Sequence, residues 1–240
     1  TTEIYTLSLH DALPICDAIY NGAVDNATGV AGILEIAEAL RKAPTPPKRS
    51  VLFLAVTLEE SGLLGSKYYV AHPVIPLAQT VAVINLDAMA PVGKARDLTV
   101  VGKGSSQLED LLKAATDRQK RRLVEESHPA AGYYFRSDHF NFAKAGVPAL
   151  YIGSGSDLVE GGAAAGEAAS RDYNEQRYHK PGDQYDPASW KLDGIVEDLE
   201  AVRSVGETLA NSGQWPNWRD GNPFKAARDA ARPTATTIAR

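Results

Sequence analysis

Asp25, Glu59, Glu60, Asp87, Asp138, His139 and His179 are the side chains whose type and placement in this sequence could support chemistry. Glu59 and Glu60 close an apolar run, S-V-L-F-L-A-V-T-L-E-E-S over residues 50–61. Two acids at the end of a buried strand must each be solvated, paired or bound to a metal. Neighbouring strand side chains point in different directions, so one acid can hold a cation while the other stays available for proton transfer. The plainer reading is a pair of solvated loop acids, and the dipeptide alone favours it. Asp87 ends a second apolar run, T-V-A-V-I-N-L-D, where a lone aspartate more often caps or turns the chain. Asp25, Asn26 and Thr28 precede a helical pattern. Residues of these types cap helix N-termini, and the same amides can hold a carboxylate facing a cation. His179, in the turn-rich Y-H-K-P-G-D, is the imidazole best placed for a metal, although a lone loop histidine is usually surface. Tyr133, Tyr134 and Phe135 stand just before Ser137, Asp138 and His139. Such an aromatic triplet is either core or the lining of a side-chain pocket.

The elements that must position these groups follow from periodicity. Val30, Ile33, Leu34, Ala37 and Leu40 fall at helical spacing and are stopped by Pro44, Pro46 and Pro47. Buried strands are expected over 50–58, 80–89, 97–101 and 147–152, with a short edge strand at Leu123 and Val124. Helices are expected over 62–71, 107–120 and 190–209, the last with Leu192, Ile195, Leu199, Val202 and Leu209 on one face. Residues 157–177 read as a long Gly/Ala-rich connection without periodicity, of the kind that tends to carry function. Trp215, Trp218 and Phe224 are expected to pack on the surface, and residues 233–240 to fray. The pattern is that of one α/β domain, and in open α/β sheets ligands bind at the carboxyl ends of strands, where Glu59, Glu60 and Asp87 fall.

Composition narrows the chemistry. A chain of 240 residues, 44% hydrophobic and 23% charged, can bury one sizeable core. The net charge of −5 offers no basic footprint for nucleic acid. No apolar run reaches the ~20 residues of a membrane span. A single cysteine excludes an intrachain disulfide and a thiolate metal cluster. Any metal must therefore be held by carboxylate and imidazole.

Taken in order, D-N-A-T-G before a helix, E-E-S-G-L-L-G-S after a strand, N-L-D after a strand, S-D-H and Y-H-K-P-G-D form a series. Over residues 17–209 it resembles metallopeptidase family 28, the zinc aminopeptidase-like exopeptidases. The resemblance implies a three-layer α/β sandwich, a mixed and mostly parallel sheet flanked by helices, and a two-zinc centre. In that scheme Asp25 bridges the ions, Glu60 and His179 complete one site, Asp87 belongs to the other, and Glu59 is the general base. Asp138 and His139 match a segment near the substrate, and Tyr134, from the aromatic triplet before them, is expected to bind it as well. Zinc suits oxygen and nitrogen ligands and keeps a coordination position open in catalytic sites. A peptide substrate, aminopeptidase action and export to the periplasm or medium are implied as well. A carboxypeptidase-type member and a non-catalytic binding module on the same fold are the competing readings.

One departure qualifies the match. Residues 1–15, TTEIYTLSLHDALPI, are the residue-for-residue translation of an oligonucleotide resembling a common sequencing-library adapter. We expect this segment to be non-native, the catalytic domain to occupy 16–212 with its N-terminus missing, and 213–240 to be a partly disordered extension. The family carries an H-x-D motif upstream of the bridging aspartate, and here His10 is followed directly by Asp11. The second zinc site is then short of a ligand, and we expect this chain to bind one zinc and to turn over poorly.

Overall fold

The computed structural model describes the backbone of residues 2–6 and the chain over 21–231. In chain order the elements are β1 (Thr2–Thr6), α1 (Thr28–Lys42), β2 (Ser50–Leu54), α2 (Leu64–Ala71), β3 (Val83–Leu86), β4 (Asp97–Val100) and α3 (Leu108–Arg118). They continue with β5 (Arg122–Glu125), α4 (His139–Lys144), β6 (Ala149–Gly153), α5 (Gly162–Gln176), α6 (Asp193–Asn211) and α7 (Lys225–Ala231).

β3 is buried along its whole length, as a strand covered by helices on both faces must be. It runs parallel to β6 from Val83↔Ala149 to Leu86↔Ile152, and β6 turns antiparallel against β4. β4 pairs parallel with β5, giving the order β3-β6-β4-β5 with β5 at the edge, where Leu123 and Val124 were expected. β1 runs parallel to β2 from Thr2↔Ser50 to Thr6↔Leu54 and also lies against β3. This pairing is a matter of main-chain hydrogen bonds, which any extended segment can supply.

Side-chain alternation along the strands builds one core on each face of the sheet. Ile84, Leu86, Leu150 and Ile152 point to the face covered by Ile33 and Ile36 of α1, Leu108 and Leu112 of α3, and Val202, Val205 and Leu209 of α6. Val83 and Ala149 point to the other, where they meet Tyr69 of α2 and Phe142 and Ala143 of α4. The result is the mixed-sheet α/β sandwich that the motif series implied.

Three expectations need correction. Residues 162–176 form helix α5, not an irregular connection. Alanine-rich sequence has high intrinsic helix propensity, and because only Gly166 of this helix is buried, no apolar stripe betrays it. β2 stops at Leu54, so Glu59 and Glu60 sit on the loop beyond it and not at the strand end. Trp218 is 1% exposed and packs in the second core, its indole N–H donating to the Gly146 carbonyl at 2.9 Å. Arg228 of α7 secures the same region by donating to the carbonyls of Thr80 and Val81, each at 2.8 Å. Residues 233–240 lie outside the described residues.

Candidate metal centre

The segment before α1 shows what its capping-type residues do. Asn26 does the capping: its Oδ1 accepts the Gly29 N–H at 2.9 Å and the Ala88 N–H at 3.1 Å, while its Nδ2 donates to the Leu86 carbonyl at 3.1 Å. The Thr28 hydroxyl donates to the Val24 carbonyl at 2.7 Å and accepts the Met89 N–H at 3.0 Å. Both residues therefore tie the start of α1 to the end of β3. Asp25, in a non-helical conformation (φ −110°, ψ 91°) across a cis peptide bond to Asn26, is left facing the cleft. Gly22 makes the entry possible, because at φ 53° a Cβ would come within 2.5 Å of the Asp25 carbonyl oxygen.

The acids of the 58–63 loop are aimed by a tight turn in which the Glu59 carbonyl accepts the N–H groups of Gly62 and Leu63 at 2.9 and 2.8 Å. Leu58, Leu63, Ala88 and His179 all adopt positive φ, between 49° and 59°. All four border the acids or carry the imidazole, and strained backbone of this kind concentrates at functional sites. Asp87, one residue past β3, accepts from the Ser137 hydroxyl at 2.7 Å, and Ser137 is itself held by Asn85 Nδ2 at 2.8 Å.

His179 closes the arrangement. Its Nε2 lies 2.7 Å from Glu60 Oε1 and 3.3 Å from Asp25 Oδ2, and its ring stacks on Tyr178 with centroids 3.8 Å apart. The Asp25 carboxylate raises the imidazole pKa, with Glu60 adding to the effect and burial opposing it. Donor atoms of Asp25, Glu60 and His179 all fall within 4.8 Å of one another. Ligands about 2.0–2.2 Å from a tetrahedral zinc stand about 3.3–3.6 Å apart; the Asp25–His179 spacing already meets this, and the 2.7 Å Glu60–His179 contact is a hydrogen bond that would open for the ion to enter. Asp25, Glu60 and His179 are the one such set of donors among the described residues. Burial, seconded by the neighbouring carboxylates, raises the Tyr178 hydroxyl, so it remains a neutral donor at the cleft wall.

The structure brings Asp25, Glu59, Glu60, Asp87 and His179 to one cleft of about 1410 Å³. It does not bring Asp138, His139 or Tyr134 there. Asp138 is fully buried and accepts from the Ser66 hydroxyl, joining α4 to α2. His139 is fully buried between the rings of Tyr134 and Tyr151, and burial lowers its pKa to about 3. Residues 133–135 form a single 3-10 turn that sends Tyr133 and Phe135 to the cleft and folds Tyr134 inward against Gly102 and His139. The aromatics that line the cleft are therefore the neighbours of Tyr134. Ser137 and Tyr178 went unassigned, although each adjoins a residue that was singled out. His10 and Asp11 lie outside the described residues.

Comparison with known proteins agrees with this geometry. The model of peptidase family M28 matches residues 4–202. Aminopeptidase YwaD of Bacillus subtilis is 29% identical over 155 residues, which are 60% of this chain and 30% of that protein. The chain spans about a third of the length of the curated relatives it matches. The LapA aminopeptidase of Legionella pneumophila superposes with a TM-score of 0.66 at 20% identity, over 89% of this chain and 53% of that one. A glutaminyl cyclase of Porphyromonas gingivalis superposes with a TM-score of 0.55 at 19% identity, over 86% and 72% of the two chains. At these identities the structural matches speak for the fold alone. Among the described residues no helix is long and apolar enough to cross a membrane.

Proposed function

The chain belongs to peptidase family M28, and from that premise we propose that it is a zinc-dependent exopeptidase acting on the N-terminal residues of peptides. The observation that carries the reading is the convergence of Asp25, Glu60 and His179, with Glu59 beside them on the cleft. These three residues would hold one zinc ion. When bound, zinc lowers the pKa of water and polarises a carbonyl oxygen.

The chain's own residues supply the rest. Glu59, largely buried and next in sequence to a ligand, takes the proton of the attacking water and delivers it to the leaving amine. Tyr178 offers a phenolic O–H toward the reacting carbonyl. Tyr133, Phe135 and Leu63 give the cleft an apolar wall for a substrate side chain. Asp87, positioned by Ser137, would serve a second ion shared with Asp25, but the described residues complete only the first site. Removal from the amino end is favoured because curated relatives are named as aminopeptidases.

The test is zinc titration of the chelator-stripped chain, followed by assay on unblocked amino-acid anilides and on N-blocked peptides with a free carboxyl end. We expect one zinc per chain and cleavage of the unblocked anilides. Cleavage confined to N-blocked peptides would make it a carboxypeptidase-type enzyme. Stoichiometric zinc without turnover of either class would leave a binding module.

A further inference from the structure

The loop that carries His179 ends at Asp183, a carboxylate 3% exposed that belongs to no ion pair among the described residues. Its partners are main-chain amides. Oδ1 accepts the Val24 N–H at 2.9 Å and Oδ2 accepts the Asp25 N–H at 3.0 Å. The Asp183 carbonyl accepts the Ala23 N–H at 3.3 Å, so three consecutive amides close on one residue. The Tyr173 hydroxyl of α5 adds a fourth donor, 3.3 Å from Oδ2. A run of N–H groups converging on an anion is a strong, directional arrangement. Here it joins segments 158 residues apart, and each carries a ligand of the triad.

We propose that Asp183 is a positioning residue for the metal: its carboxylate grips the Asp25 backbone and sets the distance between the Asp25 and His179 donor atoms. The inference rests on the zinc reading above and adds a residue to it that touches neither ion nor substrate. The covalent connection explains why this acid can act so. Asp183 is four residues from His179, in a loop braced by the Asp183 N–H to the Lys180 carbonyl at 3.1 Å. A shift of Asp183 therefore moves one ligand through the chain and the other through two hydrogen bonds. Replacement by asparagine keeps the shape but sets an NH2 group against a backbone N–H, which cannot pair.

The test compares the full chain with Asp183→Asn in three measurements: zinc affinity, the visible absorption bands of the cobalt-substituted protein, and the rise in Tm when zinc is added. We expect zinc binding to weaken by about 10–100-fold, the range for outer-shell changes at metal sites. The cobalt bands should change in position or intensity, and the zinc-induced rise in Tm should shrink as affinity falls. A purely structural role would lower Tm equally with and without zinc and leave the cobalt bands alone, and that result overturns the inference. Should Asp183→Asn fail to fold, Tyr173→Phe removes one donor from Oδ2 without touching the backbone bonds. It should give a smaller loss of the same kind, and unchanged zinc affinity and cobalt bands there would equally overturn it. A wild-type chain that takes up no zinc would overturn the metal reading itself, a failure distinct from either of these.

Discussion

Two of the clusters among the described residues that set a buried aspartate beside a nitrogen base do so for different ends. Between α6 and the turn before β5, Asp198 meets Arg121 at 2.5 Å, with both side chains 4% exposed, and the same Nη2 donates to the Asp97 carbonyl at 2.7 Å. The cation there is a guanidinium, which never gives up its proton. In the cleft, Asp25 and Glu60 meet the imidazole of His179, whose positive charge is optional. The first pair is closed to solvent. The second can exchange a proton for a metal ion. A buried acid therefore says little about function until the nature of its partner, and whether that partner can be replaced, is known.

Four substitutions would break or sharpen that contrast. Glu59→Gln in the zinc-loaded chain should lower peptide hydrolysis by about 10²–10⁴-fold while zinc stays bound; turnover within a few-fold of wild type would remove Glu59 as the base. Arg121→Ala should cost about 3–5 kcal/mol of stability, read by denaturant unfolding, because it strands a buried carboxylate. Its zinc affinity should be unchanged, and a parallel loss would mean that the two regions are not independent. His179→Ala should weaken zinc binding beyond the roughly 10–100-fold typical of outer-shell changes, measured by competition with a chelator; full occupancy in the variant would strike His179 from the ligands.

The smallest effect concerns His139. Its folded pKa, lowered by burial to about 3, lies below the ~6.5 of an unfolded histidine. Between those values the unfolded chain binds a proton that the folded chain refuses, so stability falls as pH is lowered through that window. The slope is at most about 1.4 kcal/mol per pH unit. His139→Phe, among the rings of Tyr134 and Tyr151, should flatten the wild-type loss of Tm between pH 7 and 5. An identical pH profile would show that this imidazole is not buried in its neutral form.

Much of the site could be read from order and spacing, because the ligand types and the elements that deliver them are local. An apolar run followed by E-E, another by N-L-D, and a turn-rich Y-H-K-P-G-D each announce a loop able to present a donor. The periodicity of 30–40 and 192–209 located α1 and α6 because those helices bury one face. Helix α5 was invisible for the opposite reason, since an exposed alanine-rich helix leaves no periodic trace. Sequence likewise could not say which of Asp25 and Asn26 caps α1. The division was settled by contacts with Leu86 and Ala88, some 60 residues away.

What the sequence determined alone is therefore the inventory: carboxylates and imidazoles with no thiolate cluster, an α/β frame to hold them, and a motif order that belongs to a family. What only tertiary structure decided is direction. It faced Asp25 and His179 toward each other, turned Tyr134 and His139 into the core while Tyr133 and Phe135 line the cleft, and sank Trp218 into the second core. Residue type sets what a side chain can do. Where it points depends on packing against neighbours that the linear order does not reveal.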